Sequence, residues 1–184
     1  MSAPRSPARR RALRLAARSS LALGVVLLAV ALVAHVVGVR FNYTTSLPRG
    51  LYLTTAFDPA AAHRGELVAA CPSEEAAEAV AEYLPRGSCP GGVIELAKRL
   101  AAVPGDTVVL DSSGVWVAGR LLPDSAPLFY DRRGRPLYPR LGRFDLGPGE
   151  YWLFSNRVRT SVDSRYVGPV SDVRSGLRPL LVED

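Results

Sequence analysis

Of the 23 basic residues in this chain, 22 are arginine and one, Lys98, is lysine. A chain so biased uses arginine wherever positive charge alone is wanted. A solitary lysine is therefore a candidate for work that needs an amine able to lose its proton. Arginine stays protonated inside proteins, whereas a desolvated lysine can become neutral. In Ile94-Glu95-Leu96-Ala97-Lys98-Arg99-Leu100, strand alternation puts Lys98 on one face with Ile94, Leu96 and Leu100, and Glu95 and Arg99 on the other. An ammonium on the apolar face is desolvated and its pKa falls, which suits a general base. A long side chain snorkelling to the surface meets the same pattern, and composition does not separate the two readings.

A lysine base needs a nucleophile, and fifteen serines compete for the post. Ser46 has the best address, in Asn42-Tyr43-Thr44-Thr45-Ser46-Leu47-Pro48-Arg49-Gly50-Leu51-Tyr52. Pro48 and Gly50 enforce a sharp turn before a strand, which can expose a hydroxyl and orient its amide. The plainer reading, a polar linker, stays open at this point.

The linker would follow an apolar segment. Residues 21–39 carry no charge, and at ~1.5 Å per residue they span ~28 Å, close to the ~30 Å hydrocarbon core of a bilayer. Six arginines precede the segment (5, 9, 10, 11, 14 and 18), so the positive-inside rule assigns residues 1–20 to the cytoplasm as a basic tail. Residues 21–39 then form a transmembrane anchor, and residues 40–184 an extracytoplasmic domain on the far side of the inner membrane. Ala29-Val30-Ala31 resembles a signal-peptide cleavage site, but the apolar run continues for eight residues beyond it, which favours a retained anchor. The fully extended reach from Val39 to Ser46 is at most ~25 Å, which keeps the serine close to the lipid surface.

The same arithmetic disposes of nucleic acid. The net charge is +6, yet seven arginines fall in residues 1–40, which hold no acid; residues 41–184 are left with 16 bases against 17 acids. A body with no cationic surplus has nothing with which to hold a run of phosphates. A hydrophobic content of 48% with 22% charge also excludes a disordered chain.

Cys71 and Cys89 are the only cysteines. An extracytoplasmic chain with a small, even count pairs them as a disulfide. Two thiols with His63 fall short of structural-zinc spacing, so no metal site is assigned. Strands are expected at 51–55, 67–70, 93–100, 107–110, 115–117 and 151–154, with hairpin turns at Asp111-Ser112-Ser113-Gly114 and Ala118-Gly119. One helix is expected over 73–84, with Ser73 as N-cap and Pro85 as the stop, between the two cysteines. Residues 123–148, rich in Pro, Gly and Arg, read as a long surface connection. The expectation is a mostly β domain with a small helical insertion.

Three segments together resemble the bacterial serine–lysine signal peptidases. They are Thr44-Thr45-Ser46-Leu47-Pro48-Arg49-Gly50-Leu51-Tyr52, Lys98-Arg99 with Pro104-Gly105-Asp106, and Ser161-Val162-Asp163-Ser164-Arg165-Tyr166-Val167-Gly168-Pro169-Val170. The order of the motifs and the N-terminal anchor match as well. Ser-x-Pro-x-Gly-x-Tyr at 46–52 and a cysteine pair ahead of the lysine are similar to the TraF-like conjugative-transfer branch. Phe154-Ser155-Asn156 stands where the general family has Gly-Asp-Asn, and minimal members have no counterpart of the helical insertion.

The resemblance implies a signal-peptidase-like antiparallel β domain and acyl transfer without a cofactor. It implies Ser46 as nucleophile, Lys98 as general base, Ser161 as the hydroxyl that orients the lysine, and the Ser46 amide with the Thr44 hydroxyl as oxyanion hole. Asp163 and Arg165 would brace the Ser161 loop, or form a plain surface ion pair if that loop is exposed. Asp106 is expected to be structural. The implied partners are the lipid bilayer and an exported precursor such as a prepilin. The acyl-enzyme would be released by water or, in the TraF-like branch, by the substrate's own amino terminus. Two further readings remain: a general signal peptidase of secretion, and a non-catalytic membrane-tethered β scaffold.

Overall fold

Ala, Leu and Arg are strong helix formers, and they carry the first helix well upstream of the apolar run. In a computed structural model that describes residues 7–183, helix α1 covers Pro7–Val36. Residues 1–6 of the expected tail, Arg5 among them, and Asp184 lie outside the described residues. The apolar side chains of residues 21–33 are all exposed. The stretch Ala16–Val36, 21 residues, is long and apolar enough to cross a membrane. The helix ends three residues before the expected Val39. Gly38 takes a left-handed φ of +82° and donates to the His35 carbonyl at 3.1 Å, and Val39 already belongs to a strand. The chain divides into two units, Met1–Val39 and Arg40–Asp184.

The second unit is built from two sheets. Its strands are β1 (Val39–Asn42), β2 (Gly50–Thr55), β3 (Leu67–Cys71), β4 (Leu96–Ala102), β5 (Thr107–Leu110), β6 (Val115–Val117), β7 (Arg120–Leu121), β8 (Gly142–Asp145), β9 (Trp152–Phe154) and β10 (Asp172–Val182). Two short helices, α2 (Glu74–Val80) and α3 (Ser164–Val167), complete it. The larger sheet runs β1-β2-β10-β3-β4-β9 and the smaller β7-β6-β5-β8. The pairs whose register is defined are all antiparallel. Val68, Leu96, Leu100, Leu153 and Tyr166 fill the core of the larger sheet, while Ala102, Val108, Val115 and Trp152 fill that of the smaller. The expected mostly β architecture with a helical insertion is what forms.

Several expected boundaries move. The strand expected at 93–100 starts only at Leu96, because a tight turn at Pro90–Gly92 and the bridge of Val93 to Arg86 occupy the residues before it. The helix expected over 73–84 is regular only to Val80 and tightens into a 3₁₀ turn over Ala81–Tyr83. Its cap is as read: Ser73 Oγ accepts from the Ala76 amide at 3.3 Å. The connection at 123–148 contains strand β8 and a Tyr130–Pro136 bridge, so it is not wholly irregular. The turn at Ala118-Gly119 has φ of +48° and +76°, the primed geometry that matches strand twist.

Cys71 and Cys89 are joined, with 5.4 Å between their Cα atoms and 18 residues of separation. The bond staples the α2 excursion to the end of β3 and is buried against Ala77 and Val93. Replacing both cysteines by serine is expected to lower folding stability by ~3 kcal/mol, the loop-closure entropy of a bridge this long. Urea unfolding with and without reductant measures it; coincident midpoints would show that the bridge contributes nothing.

Candidate active site

The turn that carries Ser46 is held by its neighbours rather than by sheet pairing. Asn42, the last residue of β1, folds its carboxamide into the turn. Its Nδ2 donates to the carbonyls of Thr44, Leu47 and Pro48 at 3.2, 3.3 and 3.0 Å. Its Oδ1 accepts from the amide and hydroxyl of Thr44 at 3.1 and 2.7 Å. Tyr52 donates its phenol to the Pro48 carbonyl at 2.7 Å, and Leu47 is buried beneath. Gly50 has a φ of +140°, and a Cβ there would come within 2.1 Å of the Leu181 carbonyl oxygen of β10. Gly50 and Tyr52 of Ser-x-Pro-x-Gly-x-Tyr thus each have a mechanical reason, and the turn leaves Ser46 half-buried.

Lys98 comes from the middle of β4, whose faces alternate as the sequence pattern requires: Leu96, Lys98 and Leu100 are buried while Arg99 is exposed. The lysine is only 6% exposed. Burial pulls its pKa down from the usual 10.5 to about 8; Asp163 opposes the fall and Arg165 adds to it. The snorkelling reading is thereby corrected, since the side chain is almost wholly buried and does not extend to the outer surface. Among the described residues its hydrogen bond goes to the Ala97 carbonyl at 3.3 Å.

The third segment sits where Asp163 caps the single turn α3. Its carboxylate accepts both guanidinium arms of Arg165, Nε at 2.8 Å and Nη2 at 2.9 Å, and both side chains have no exposure at all. The surface-pair alternative is thus overturned. The guanidinium continues to the carbonyls of Ser161 and Ala126, each at 3.3 Å, and lies 5.1 Å over the Phe154 ring. Asp163 also accepts from the Ser155 amide at 3.3 Å, and the Ser155 hydroxyl donates to the Ser46 carbonyl at 2.6 Å. Ser161 Oγ lies 3.2 Å from Ser46 Oγ. A closed ring of contacts thereby ties the Ser46 loop to the Asp163–Arg165 pair from two sides.

Ser46, Thr44, Lys98 and Ser161 all line one cavity of about 360 Å³. Asp163 and Arg165 stand behind its wall, and Cys71–Cys89 holds the insertion whose Tyr83, Leu84 and Pro85 line it from another side. Asp106 lies away from it in a turn, paired with Arg64 and accepting from the Val103 amide at 2.9 Å. Among the described residues no group of His, Cys, Asp and Glu could hold a metal ion. Sequence reasoning missed Asn42 and Ser155. Asn two residues before Thr44 is a local Asx-type signal that was there to be read; nothing in the chain pairs Ser155 with Ser46, 109 residues away. The arrangement offers a hydroxyl, a desolvated amine and a second hydroxyl to whatever enters the cavity.

Comparison with known proteins bears on what that is. The family described as "Signal peptidase, peptidase S26" matches residues 12–174. The plasmid transfer protein TraF of Escherichia coli is 38% identical over 165 residues, which is 86% of this chain and 90% of the relative. The conjugal transfer protein TraF of Agrobacterium tumefaciens (strain 15955) is 38% identical over 146 residues, 78% of this chain and 80% of the relative. A crystal structure of a signal peptidase I from Enterococcus faecalis V583 aligns with a TM-score of 0.38 at 18% identity, covering 67% of this chain and all of that one.

Two measurements test this geometry. The unfolded chain binds the Lys98 proton more tightly than the folded one, so below pH 8 folding carries the penalty of a buried ammonium. That penalty disappears as pH rises from about 8 to 10.5, a gain of about 3 kcal/mol. Lys98→Met has no such proton, so the stability difference between the two proteins is expected to shrink across that window. A difference independent of pH would show that the amine is not desolvated. Arg165→Met leaves Asp163 as an unpaired buried charge and is expected to cost about 3–5 kcal/mol in urea unfolding; a loss below about 1 kcal/mol would mean that the pair is not a structural support.

Proposed function

Because the chain belongs to the signal peptidase S26 family, we propose that it is a membrane-anchored serine endopeptidase that uses Ser46 and Lys98 to mature an exported precursor, a conjugative prepilin. What supports the reading is a desolvated lysine, with its pKa pulled to about 8, lining the same cavity as a half-buried serine hydroxyl. In this reading residues 1–20 are cytoplasmic, 21–39 cross the inner membrane, and 40–184 work on its outer face.

The chemistry begins with the neutral amine. Lys98 leaves its weak 3.3 Å bond to Ala97 and takes the Ser46 proton, and Ser161, 3.2 Å from the Ser46 hydroxyl, would orient the amine as it turns toward Ser46. Ser46 Oγ adds to the scissile carbonyl carbon. The resulting oxyanion is received by the Ser46 amide and by the Thr44 hydroxyl, which exchanges Asn42 for the substrate; one such donor is typically worth ~3 kcal/mol. Collapse breaks the carbon–nitrogen bond, and the Lys98 ammonium returns its proton to the leaving amine. The ester that remains is attacked by water, which yields a linear product, or by the substrate's own amino terminus, which yields a ring. In either case Lys98 accepts the proton of the attacking group, and Ser46 regains a proton as it leaves.

The test is mass spectrometry of the mature product in membranes carrying the parent, Ser46→Ala or Lys98→Met with a co-expressed conjugative prepilin. Processing is expected to stop in both variants, and a cyclic product is lighter than the linear one by one water. Wild-type processing by Lys98→Met would refute the base assignment. Because the neutral amine is the working form, kcat/KM of the parent is expected to rise about tenfold per pH unit below a midpoint of about 8 and to level above it. A profile flat from pH 6 to 9 would exclude this base.

A further inference from the structure

Glu95, expected on the face opposite Lys98, is nevertheless among the residues that line the cavity beside Ser46, and its carboxylate has no hydrogen bond or ion pair in the fold. Glu95 stands directly before β4, half-buried, and lines the same wall as Leu84, Pro85 and Ile94. The other buried or half-buried carboxylates among the described residues each accept a hydrogen bond or an ion pair, from Glu66 with His63, through Asp106 with Arg64, to Asp172 with Arg174. Glu74, Glu78, Asp124 and Glu183, which accept none on their side chains, are all exposed to water. Among the described carboxylates Glu95 alone is half-buried with no hydrogen bond or ion pair. The two cations in the same lining, Arg40 and Lys98, form no ion pair with it, and most of the remaining wall is apolar, with Phe41, Leu84, Ile94 and Leu177.

A half-buried carboxylate with no internal partner in a mostly apolar groove keeps its acceptor oxygens free for a donor that enters. The same group becomes favourable when a cation enters, since a hydrogen bond to an ionised acceptor is stronger where water is thin. We propose that Glu95 is a substrate-binding residue that receives a cationic nitrogen of the peptide. That nitrogen belongs to a basic side chain close to the scissile bond or to the free α-ammonium of the chain; both present the same N–H donors. The inference rests on the peptidase reading for the cavity being the substrate groove. Glu95 takes no part in bond making, so its contribution is expected in KM and not in kcat.

The test uses three synthetic peptides spanning a cleavage site, with the full-length protein in detergent. One has lysine near the scissile bond and an acetylated amino terminus. The second has norleucine in place of lysine and a free amino terminus. The third has norleucine and an acetylated terminus. Affinity is measured on Ser46→Ala, which cannot turn the peptides over, and kcat and KM on the parent.

One of the first two peptides is expected to bind and react about tenfold better than the third, through KM, the factor one charge-assisted hydrogen bond of ordinary strength supplies. Which of the two it is assigns the source of the cation. In Glu95→Gln the ratio is expected to fall toward one, and in Glu95→Lys to invert. Equal affinity for all three peptides, or a preference that Glu95→Gln leaves unchanged, overturns the proposal even if every peptide is cleaved. Glu95-dependent binding with no cleavage by the parent would instead uphold the site and refute the peptidase reading.

Discussion

Asp163 and Arg165 have no solvent exposure, and a buried charge pair of this kind survives only if every donor and acceptor is used. Here they are. The guanidinium forks onto the carboxylate, reaches the carbonyls of Ser161 and Ala126, and covers the Phe154 ring. The carboxylate caps α3 and takes the Ser155 amide. From Ser155 one bond reaches the Ser46 carbonyl, and from Ser161 another reaches the Ser46 hydroxyl. The loop bearing Ser46 is therefore located by contacts that converge on one ion pair.

The same pair acts on Lys98 through space. Desolvation by the β4 face lowers the lysine pKa most, and the two partners then pull in opposite directions, the carboxylate up and the guanidinium down. Their opposition leaves burial as the deciding influence, so an amine that is protonated in water reaches a pKa of about 8 without any carboxylate bonded to it. A charge-neutral brace can thus sit near a base without fixing its proton.

Much of the site was legible because it depends on local rules. Alternation along β4 put Lys98 on the buried face, and Pro48 with Gly50 marked the turn; the structure adds why Tyr52 belongs to it, as the donor that holds the Pro48 carbonyl. Strand β10 was not legible. It was not among the expected strands; it contains Gly176 and Pro179, residues that ordinarily interrupt a strand, yet it lies between β2 and β3, and its register shifts at Pro179–Leu181. Asn42 and Ser155 were missed for a related reason, since their partners are carbonyl oxygens, which every residue has.

By itself the chain's order of residues determined which groups are available: one lysine among 23 bases, one serine in a proline- and glycine-bounded turn, two cysteines on either side of a helix, and an apolar stretch long enough to span a bilayer. Periodicity and backbone stereochemistry act over a few residues, so these features can be read without the fold. The tertiary structure alone decided that Ser161, 115 residues on, meets Ser46, that Asp163 and Arg165 are wholly buried, and that Glu95 is among the residues lining the cavity of Ser46. Desolvation and pairing are properties of what surrounds a group, and the surroundings come from strands distant in sequence.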